Sequence, residues 1–498
     1  MSLVQLNLGM LAGGLVLLAS IVATRVAHRV GLPSLLLFLA LGVLLGEDGL
    51  GVEFDDAELA RNLGTAALAV ILVEGGLTTK WADVRRLLAP AGLLATAGVG
   101  VSVVVTAVGT HFLLGVPWQL SLLLGAIVSS TDAAAVFSVL RVLPLPRRLA
   151  GLLEAESGFN DAPTVILVLL FSTVPLSLSP MDFAASLGYQ LIAGVVIGLG
   201  LGWLGAVALP RMALPASGLY PLATFGLGMV AFAAAGTLQA SGFIAAYLCG
   251  VVLANRGLPH RSATRSFAEG LGWLAQIGLF VLLGLLVTPS RLPGVVLPAL
   301  VVGLVLLVVA RPLSVVIAMA GFRMPLREQA FLSWAGLRGA VPIVLATFPV
   351  VQGVPGSEGL LDVVFVLVMI FTLVQGPSLR PLARLLGLIP REATREVQVE
   401  AAPLDVLDAE LLSMSVPAGS ELHSVSVREL RLPDPGVVTL VIRDGRTFVP
   451  SPETVLETGD ELFIVTTFAQ REATERRVRA VSRRGRLAGW YGERGDPA

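Results

Sequence analysis

Between Leu152 and Leu170 the chain reads LLEAESGFNDAPTVILVLL, an apolar run that carries Glu154, Glu156, Ser157, Asn160 and Asp161 near its start. On a helix Ser157 and Asp161 stand at i and i+4 and share a face with Glu154, while Glu156 and Asn160 form the neighbouring stripe. A hydroxyl beside a carboxylate offers oxygen ligands to a hard monovalent cation. Dehydration disfavours the charged form of a carboxylate. The same group can therefore take up a proton or a cation, but not both, which is the chemistry of proton-coupled exchange. Such a group is costly to embed, at about 2.5–3.5 kcal/mol for a charged residue at the centre of a bilayer. Its presence in an apolar run therefore calls for a function.

Composition places that run in a membrane. Of 498 residues, 55% are hydrophobic and 14% charged, against about 25% charged in soluble proteins. Apolar stretches long enough to span recur over residues 7–25, 31–47, 61–78, 88–110, 118–140, 149–173, 184–209, 219–237, 240–255, 270–288, 294–320, 328–350 and 361–386, about 13 in all. The first lacks the basic flank and small-residue cleavage site of a signal peptide. Alternate loops collect the arginines: Arg25, Arg29, Arg85, Arg147, Arg148, Arg256, Arg323 and Arg384 are among those on one side, and little beyond Arg61 and Arg291 is on the other. The positive-inside rule then puts the N-terminus outside and the C-terminus in the cytoplasm.

Other chemistries find little support. Cys249 is the single cysteine, so no intrachain disulfide or cysteine-rich metal site forms, and a small packing role is expected of it. His28, His111, His260 and His423 fall in loops, at helix ends or in the tail, which argues against an embedded histidine relay or zinc site; no cofactor is expected. Lys80 is the only lysine. No basic block points to nucleic acid. Gly200, Gly202 and Gly205 spell GxGxxG, but inside a span, where small residues serve close helix approach instead of a dinucleotide.

Two further spans carry polar clusters. The fifth contains VSSTDAAAV, with Ser129, Ser130, Thr131 and Asp132; the twelfth contains SWAGLRGAVP, with Arg338 among Gly336, Gly339 and Pro342. Side chains that compete for backbone hydrogen bonds, and glycines followed by proline, interrupt helices. Unwound helices at the bilayer midplane expose ion-coordinating groups and come in pairs from inverted repeats. Spans five and twelve occupy matching positions in two inverted six-helix repeats flanking span seven. Arg311, in VVARPLSV, and Arg338 are the cations available to neutralise Glu156, Arg311 being the first choice. That leaves Asp161 as the titrating acid and one proton exchanged per monovalent ion. Asp132 also fits helix-cap chemistry at the break, Glu154 a solvated position or a pair with Arg147 or Arg148, and Glu74 a structural helix end.

The segments ESGFNDA, TDAAAV, LVEGGLTT and GLRGAVP resemble the NhaP-type, electroneutral branch of the monovalent cation:proton antiporters. The resemblance covers spans three to thirteen. It implies a polytopic all-α membrane fold with crossing unwound helices, whose core moves against a dimerising scaffold. It further implies that Asp161 binds cation and proton, that Ser157 and the Thr131 backbone carbonyl ligate the ion, and that Asp132 assists at the crossing. Asn160 orients the site, and Glu156 is a structural acid paired to arginine. The family usually has TDPVAV where this chain has TDAAAV. Exchange of K+, or else Na+, for H+ is expected, in a homodimer of a bacterial inner membrane serving pH homeostasis. A gated cation channel with a cytoplasmic sensor is the alternative, though no TVGYG-like filter is present. An intramembrane enzyme ranks last, for want of a serine–lysine dyad, histidine cluster or GxGD motif.

After Pro390 the chain becomes charged. Expected are a transmembrane domain over 1–390, a linker over 391–405, a small cytoplasmic α+β domain over 406–478 and a disordered tail over 479–498. ELLSMSVP, GVVTLVIRDGRTFVP and ELFIVTT read as strands, with a hairpin at Asp444-Gly445, and AQREATERRVRAV reads as a helix. This region resembles the TrkA C-terminal regulatory domain, which implies dimerisation and a small ligand such as a nucleotide, and by association favours K+.

Overall fold

A computed structural model describes residues 3–30, 33–79, 81, 85, 87–131, 145–173, 179–389, 399–404, 409–467, 469–493 and 495. The chain divides into two compact units, Met1–Leu388 and Ile389–Ala498.

The first unit is helical: α1 (Leu3–Val30), α2 (Ser34–Leu45), α3 (Ala57–Thr78), α4 (Leu88–Leu114), α5 (Trp118–Ser129), α6 (Arg147–Phe171), α7 (Pro180–Ala208), α8 (Leu219–Thr237), α9 (Gly242–Ala254), α10 (Arg261–Leu285), α11 (Pro289–Met319), α12 (Leu326–Trp334), α13 (Ala340–Val351) and α14 (Glu358–Leu385). Among the described residues, eight of the helices are long and apolar enough to cross a membrane, with shorter apolar helices between them. Two expected spans differ from continuous rods. The fifth is helical over Trp118–Ser129 and leaves the helix at Ser130; residues 132–144 lie outside the described residues. The twelfth is split into α12 and α13 by residues 335–339, where glycines and Pro342 leave the helical ladder too weak to continue.

Glycine sets the closest helix approaches. A Cβ on Gly42 of α2 would stand 2.8 Å from the Gly284 Cα of α10, and one on Gly76 of α3 would stand 3.1 Å from the Gly250 Cα of α9. Helix α7 meets α9 along Gly194, Gly198 and Gly202, where added Cβ atoms would lie 2.7 Å from the Ser241 carbonyl, 2.6 Å from the Ala245 carbonyl and 2.9 Å from the Val252 Cβ. Gly200, the first glycine of the GxGxxG string, faces open space. The string is therefore a packing feature, and Cys249 is buried against it.

Helices α4 and α11 each contain one widened π-helical stretch, Leu94–Gly98 and Val305–Ala310. In α11 the stretch ends just before Arg311-Pro312, where the proline ring opposes the carbonyl four residues back. The two helices pack reciprocally, each π-helical stretch against the regular part of the other. The Ser102 and Ser314 hydroxyls join them at 2.7 Å.

The second unit is an antiparallel sheet in the order β1-β2-β5-β3-β4, built from Val399–Leu404, Ala409–Ser415, Val437–Arg443, Arg446–Phe448 and Glu461–Thr467 numbered in chain order, with α15 (Arg471–Arg484). The core gathers Leu412, Leu430, Val441, Leu462, Ile464 and Val481. The hairpin turns at Asp444 and Gly445, whose φ values of 50° and 75° suit a tight two-residue loop. Two expected boundaries are corrected. Part of the 391–405 linker is the edge strand β1. The expected tail, 479–498, begins inside α15: Val481 and Ala488 are fully buried, and Arg486 bridges Glu429 at 2.9 Å. The arginines conceal the apolar spacing that seats this segment.

Asp460, fully buried, accepts from Arg443 Nε at 2.8 Å, from Arg443 Nη2 at 2.7 Å and from the Glu457 N–H at 2.8 Å. Burial opposes its charge, but these donors outweigh burial and hold the carboxyl below its usual 3.8. The stability it contributes is present above pH 3.8 and is lost as pH falls through the lower folded-state value. Hydrogen-exchange protection of residues 409–493 should therefore show an acid step below about pH 4, which Asp460→Asn removes while costing about 1.5–3 kcal/mol at pH 7. In the membrane unit, Gly198→Val should destabilise by about 1–3 kcal/mol in thermal unfolding, while Gly200→Val stays near wild type.

Candidate functional site

The centre of the first unit forms where three elements meet: α6, the end of α5 and the gap between α12 and α13. In α6, Glu156, Ser157, Asn160 and Asp161 are all buried. Past Ser129 the backbone turns extended, with Ser130 at φ −63° and ψ 139°. Beyond the helix end, Ser130 and Thr131 both contact α6.

The result is a compact set of oxygens. Ser130 Oγ donates to Asp161 Oδ1 at 2.6 Å. The Thr131 and Ser157 hydroxyls meet at 3.0 Å, and Asn160 Nδ2 donates to Thr131 Oγ1 at 2.5 Å. Asp161, Ser157, Thr131 and Asn160 are thus brought together. Thr131 takes part through its hydroxyl. Asp132 lies outside the described residues. Ser130 was not among the expected site residues; its signal was its place in the string SST, where the helix stops.

Glu156 is held apart from that cluster's chemistry. Arg311 Nη1 and Nη2 donate to its two carboxylate oxygens at 2.5 Å and 2.9 Å. Both side chains are almost fully buried, at 5% exposure for Arg311 and 2% for Glu156. A two-pronged, buried pair of this geometry recovers its desolvation cost only because both charges are matched. Arg338, the second choice as partner for Glu156, donates instead to the carbonyls of Ser129 and Ser130 at 3.2 Å and 2.8 Å. These carbonyls terminate α5, where the helix dipole is negative, so a guanidinium is favourable there. Arg338 thereby ties the end of α5 to the α12–α13 gap. Its own carbonyl accepts from Thr372 Oγ1 at 2.8 Å. Gly336 lies in the same gap, where an added Cβ would meet Arg311 Nε at 3.0 Å and Thr131 Cγ2 at 3.2 Å.

Glu154 is half-buried, and Arg148 donates to the Phe322 carbonyl at 3.4 Å. Among the described residues no group of three or more His, Cys, Asp or Glu side chains could hold a metal ion.

Residues 16–385 match the family described as "Sodium/hydrogen exchanger, transmembrane". The chain belongs to the sodium/hydrogen exchanger family. It is a multi-pass integral membrane protein and a member of a transporter family, not an enzyme. Residues 411–479 match the TrkA-C domain. The K(+)/H(+) antiporter NhaP of Alkalimonas amylolytica is 37% identical over 470 residues, which cover 92% of this chain and 81% of that protein. The K(+)/H(+) antiporter NhaP2 of Shewanella sp. (strain ANA-3) is 37% identical over 475 residues, covering 93% and 81%. The solved sodium proton antiporter MjNhaP1 of Methanocaldococcus jannaschii matches with a TM-score of 0.66 at 22% identity, over 77% of this chain and 99% of that one. The first unit of this exchanger therefore has the membrane-helical antiporter fold.

If Arg311 serves Glu156, truncating it leaves a buried, unmatched carboxylate. Arg311→Met should cost about 3–5 kcal/mol, read as a lowered unfolding temperature in nanodiscs. Adding Glu156→Gln should recover most of that loss.

Proposed function

We propose that this exchanger carries a monovalent cation, K+ in the first instance, against H+, one for one, by competition of the two ions for Asp161. One observation carries the reading. Asp161 sits buried among hydroxyls where α6 meets the end of α5 and the α12–α13 gap, and the neighbouring buried acid Glu156 pairs with Arg311. The Glu156–Arg311 pair keeps zero net charge through the cycle. Only Asp161 changes its occupant, and each occupant brings one positive charge, so a turnover moves no net charge.

Ser157, Thr131 and Asp161 supply the oxygen ligands, Asn160 orients Thr131, and Asp132 assists at the crossing. Their hydroxyls and carboxylate suit an alkali cation without a softer donor. The preference for K+ over Na+ rests on the likeness to the two K(+)/H(+) antiporters at 37% identity. The assignment to the exchanger family leaves the gated-channel alternative without a supporting observation.

Counting α12 and α13 as halves of one interrupted span gives about 13 spans, in two inverted six-helix repeats about α7. Three features support the repeats. Gly42 and Gly250 are separated in sequence by as many residues as Gly76 and Gly284, and these four form the two glycine crossings. The π-helical stretches of α4 and α11 occupy matching spans. So do the break after α5 and the gap between α12 and α13. In the same reading, residues 1–390 form the transport domain with its N-terminus outside. The C-terminal domain lies in the cytoplasm of a bacterial cell, dimerises, and regulates exchange through a small ligand such as a nucleotide.

Proton flux in sealed vesicles, with K+, Na+, Li+ and Rb+ added in turn at several pH values, tests the assignment. K+ should dissipate the pH gradient, and Asp161→Asn should abolish the response while folding normally. Wild-type flux in that variant would overturn the mechanism.

A further inference from the structure

A small cavity opens between α11, the α12–α13 gap and α14, walled by Leu306 and Phe371 and lined by Arg311, Gly336, Arg338 and Gln375. It has room for about one water molecule. Among the described residues, two buried polar atoms of its lining have no hydrogen-bond partner: Arg311 Nε and Gln375 Oε1. Both terminal nitrogens of Arg311 donate to Glu156, with a longer contact from Nη2 to the Leu332 carbonyl at 3.5 Å, and Nε is its one nitrogen without a partner among the described residues. Gln375 Nε2 donates to the Trp334 carbonyl at 2.9 Å, and this fixes which end of the amide is the acceptor.

We propose that this cavity is a site for one bound water, which accepts from Arg311 Nε and donates to Gln375 Oε1, and that Gln375 is thereby a positioning residue for the Glu156–Arg311 pair. The chemistry of the lining selects the occupant. Two guanidinium groups exclude a cation, an amide oxygen disfavours an anion, and buried donors and acceptors are met by water where no protein group reaches them. Gln375 then grips both sides of the ion-site support. Directly, it holds Trp334, the last residue of α12 before the gap. Through water, it holds the arginine that fixes α6. Trp334 is itself anchored to α14, with Nε1 donating to Ser378 Oγ at 2.8 Å. Gly336 leaves the space open, since a Cβ there would stand 3.0 Å from Arg311 Nε.

The inference rests on the exchange reading for its functional consequence, but the water can be sought separately. A high-resolution electron cryo-microscopy map of the full chain in nanodiscs should show a density peak within hydrogen-bonding distance of both Arg311 Nε and Gln375 Oε1; an empty cavity overturns the proposal. In K+-driven proton flux, Gln375→Met should raise the KM for K+ about tenfold, as loss of an outer-shell partner does, with the maximal rate little changed. Ser378→Ala loosens Trp334 but leaves both partners of the water in place, so its KM should stay closer to wild type. Equal impairment of the two variants, or none in either, overturns the role of the water. Absence of K+-driven flux in the wild-type protein would instead strike the exchange reading and leave the density test standing.

Discussion

A charge taken out of water has to be matched before a neighbouring charge can be left free to change. In the helical unit this constraint falls on Glu156 and Arg311, whose two-pronged contact spans α6 and α11. If either charge stood alone, Asp161, five residues from Glu156, would work in a field that dominated its own chemistry. With the pair closed, the polar groups around Asp161 include the hydroxyls of Ser130, Thr131 and Ser157, the Asn160 amide and, across the Ser130 carbonyl, the Arg338 guanidinium. Hydroxyls serve here because each offers one proton and two lone pairs, so the same group can donate to a carboxylate or face a cation.

Breaking helices inside a bilayer exposes backbone groups that have no water to bind, and each break must be repaired by protein. After Ser129 the repair is Arg338, which takes up the carbonyls that end α5. In the gap from 335 to 339 it is Thr372 and Gln375 of α14, which bind the carbonyls of Arg338 and Trp334. Arg338 is thus both the repair of one break and a residue of the other. Through Arg338 the α12–α13 gap is connected to Ser130, and through the Ser130 hydroxyl to Asp161. Burial of Arg338 among carbonyls accounts for its presence without a direct role at the ion.

The stripe on α6 was legible because i,i+4 spacing is a property of one helix and needs no partner. The interrupted helices were legible from SSTD and GLRGAVP, where local chemistry opposes the ladder. The hairpin at Asp444-Gly445 was legible for the same reason. Which arginine serves Glu156 was a matter of ranking, since both candidates lie far away in sequence and only packing brings one of them to α6. Ser130 was hidden because the direction of its side chain depends on where the helix ends and how the chain leaves it, which the string SST does not fix. Gln375 had no motif at all, being one amide in an apolar helix. The end of the C-terminal unit was misplaced because RRVRAVSRRGRL reads as solvated when its charges are counted, although Val478, Val481 and Ala488 recur on one side.

The glycine contacts divide the helices by how firmly they are joined. At Gly42–Gly284 and Gly76–Gly250, and along α7 against α9, backbone meets backbone, so α2, α3, α7, α9 and α10 have no side-chain slack through which to slide. The contacts from that group to the site-bearing helices are of another kind. A Cβ on Gly64 of α3 would meet the side-chain methyls of Val344 in α13 at 3.0 Å, and one on Gly158 of α6 would meet the Tyr247 ring of α9 at 3.0–3.1 Å. Smooth glycine faces against side-chain ends resist lateral displacement far less than interlocked backbones do. The oxygen cluster of α6, its matched ion pair and both helix repairs lie on the same side of these α3–α13 and α6–α9 contacts.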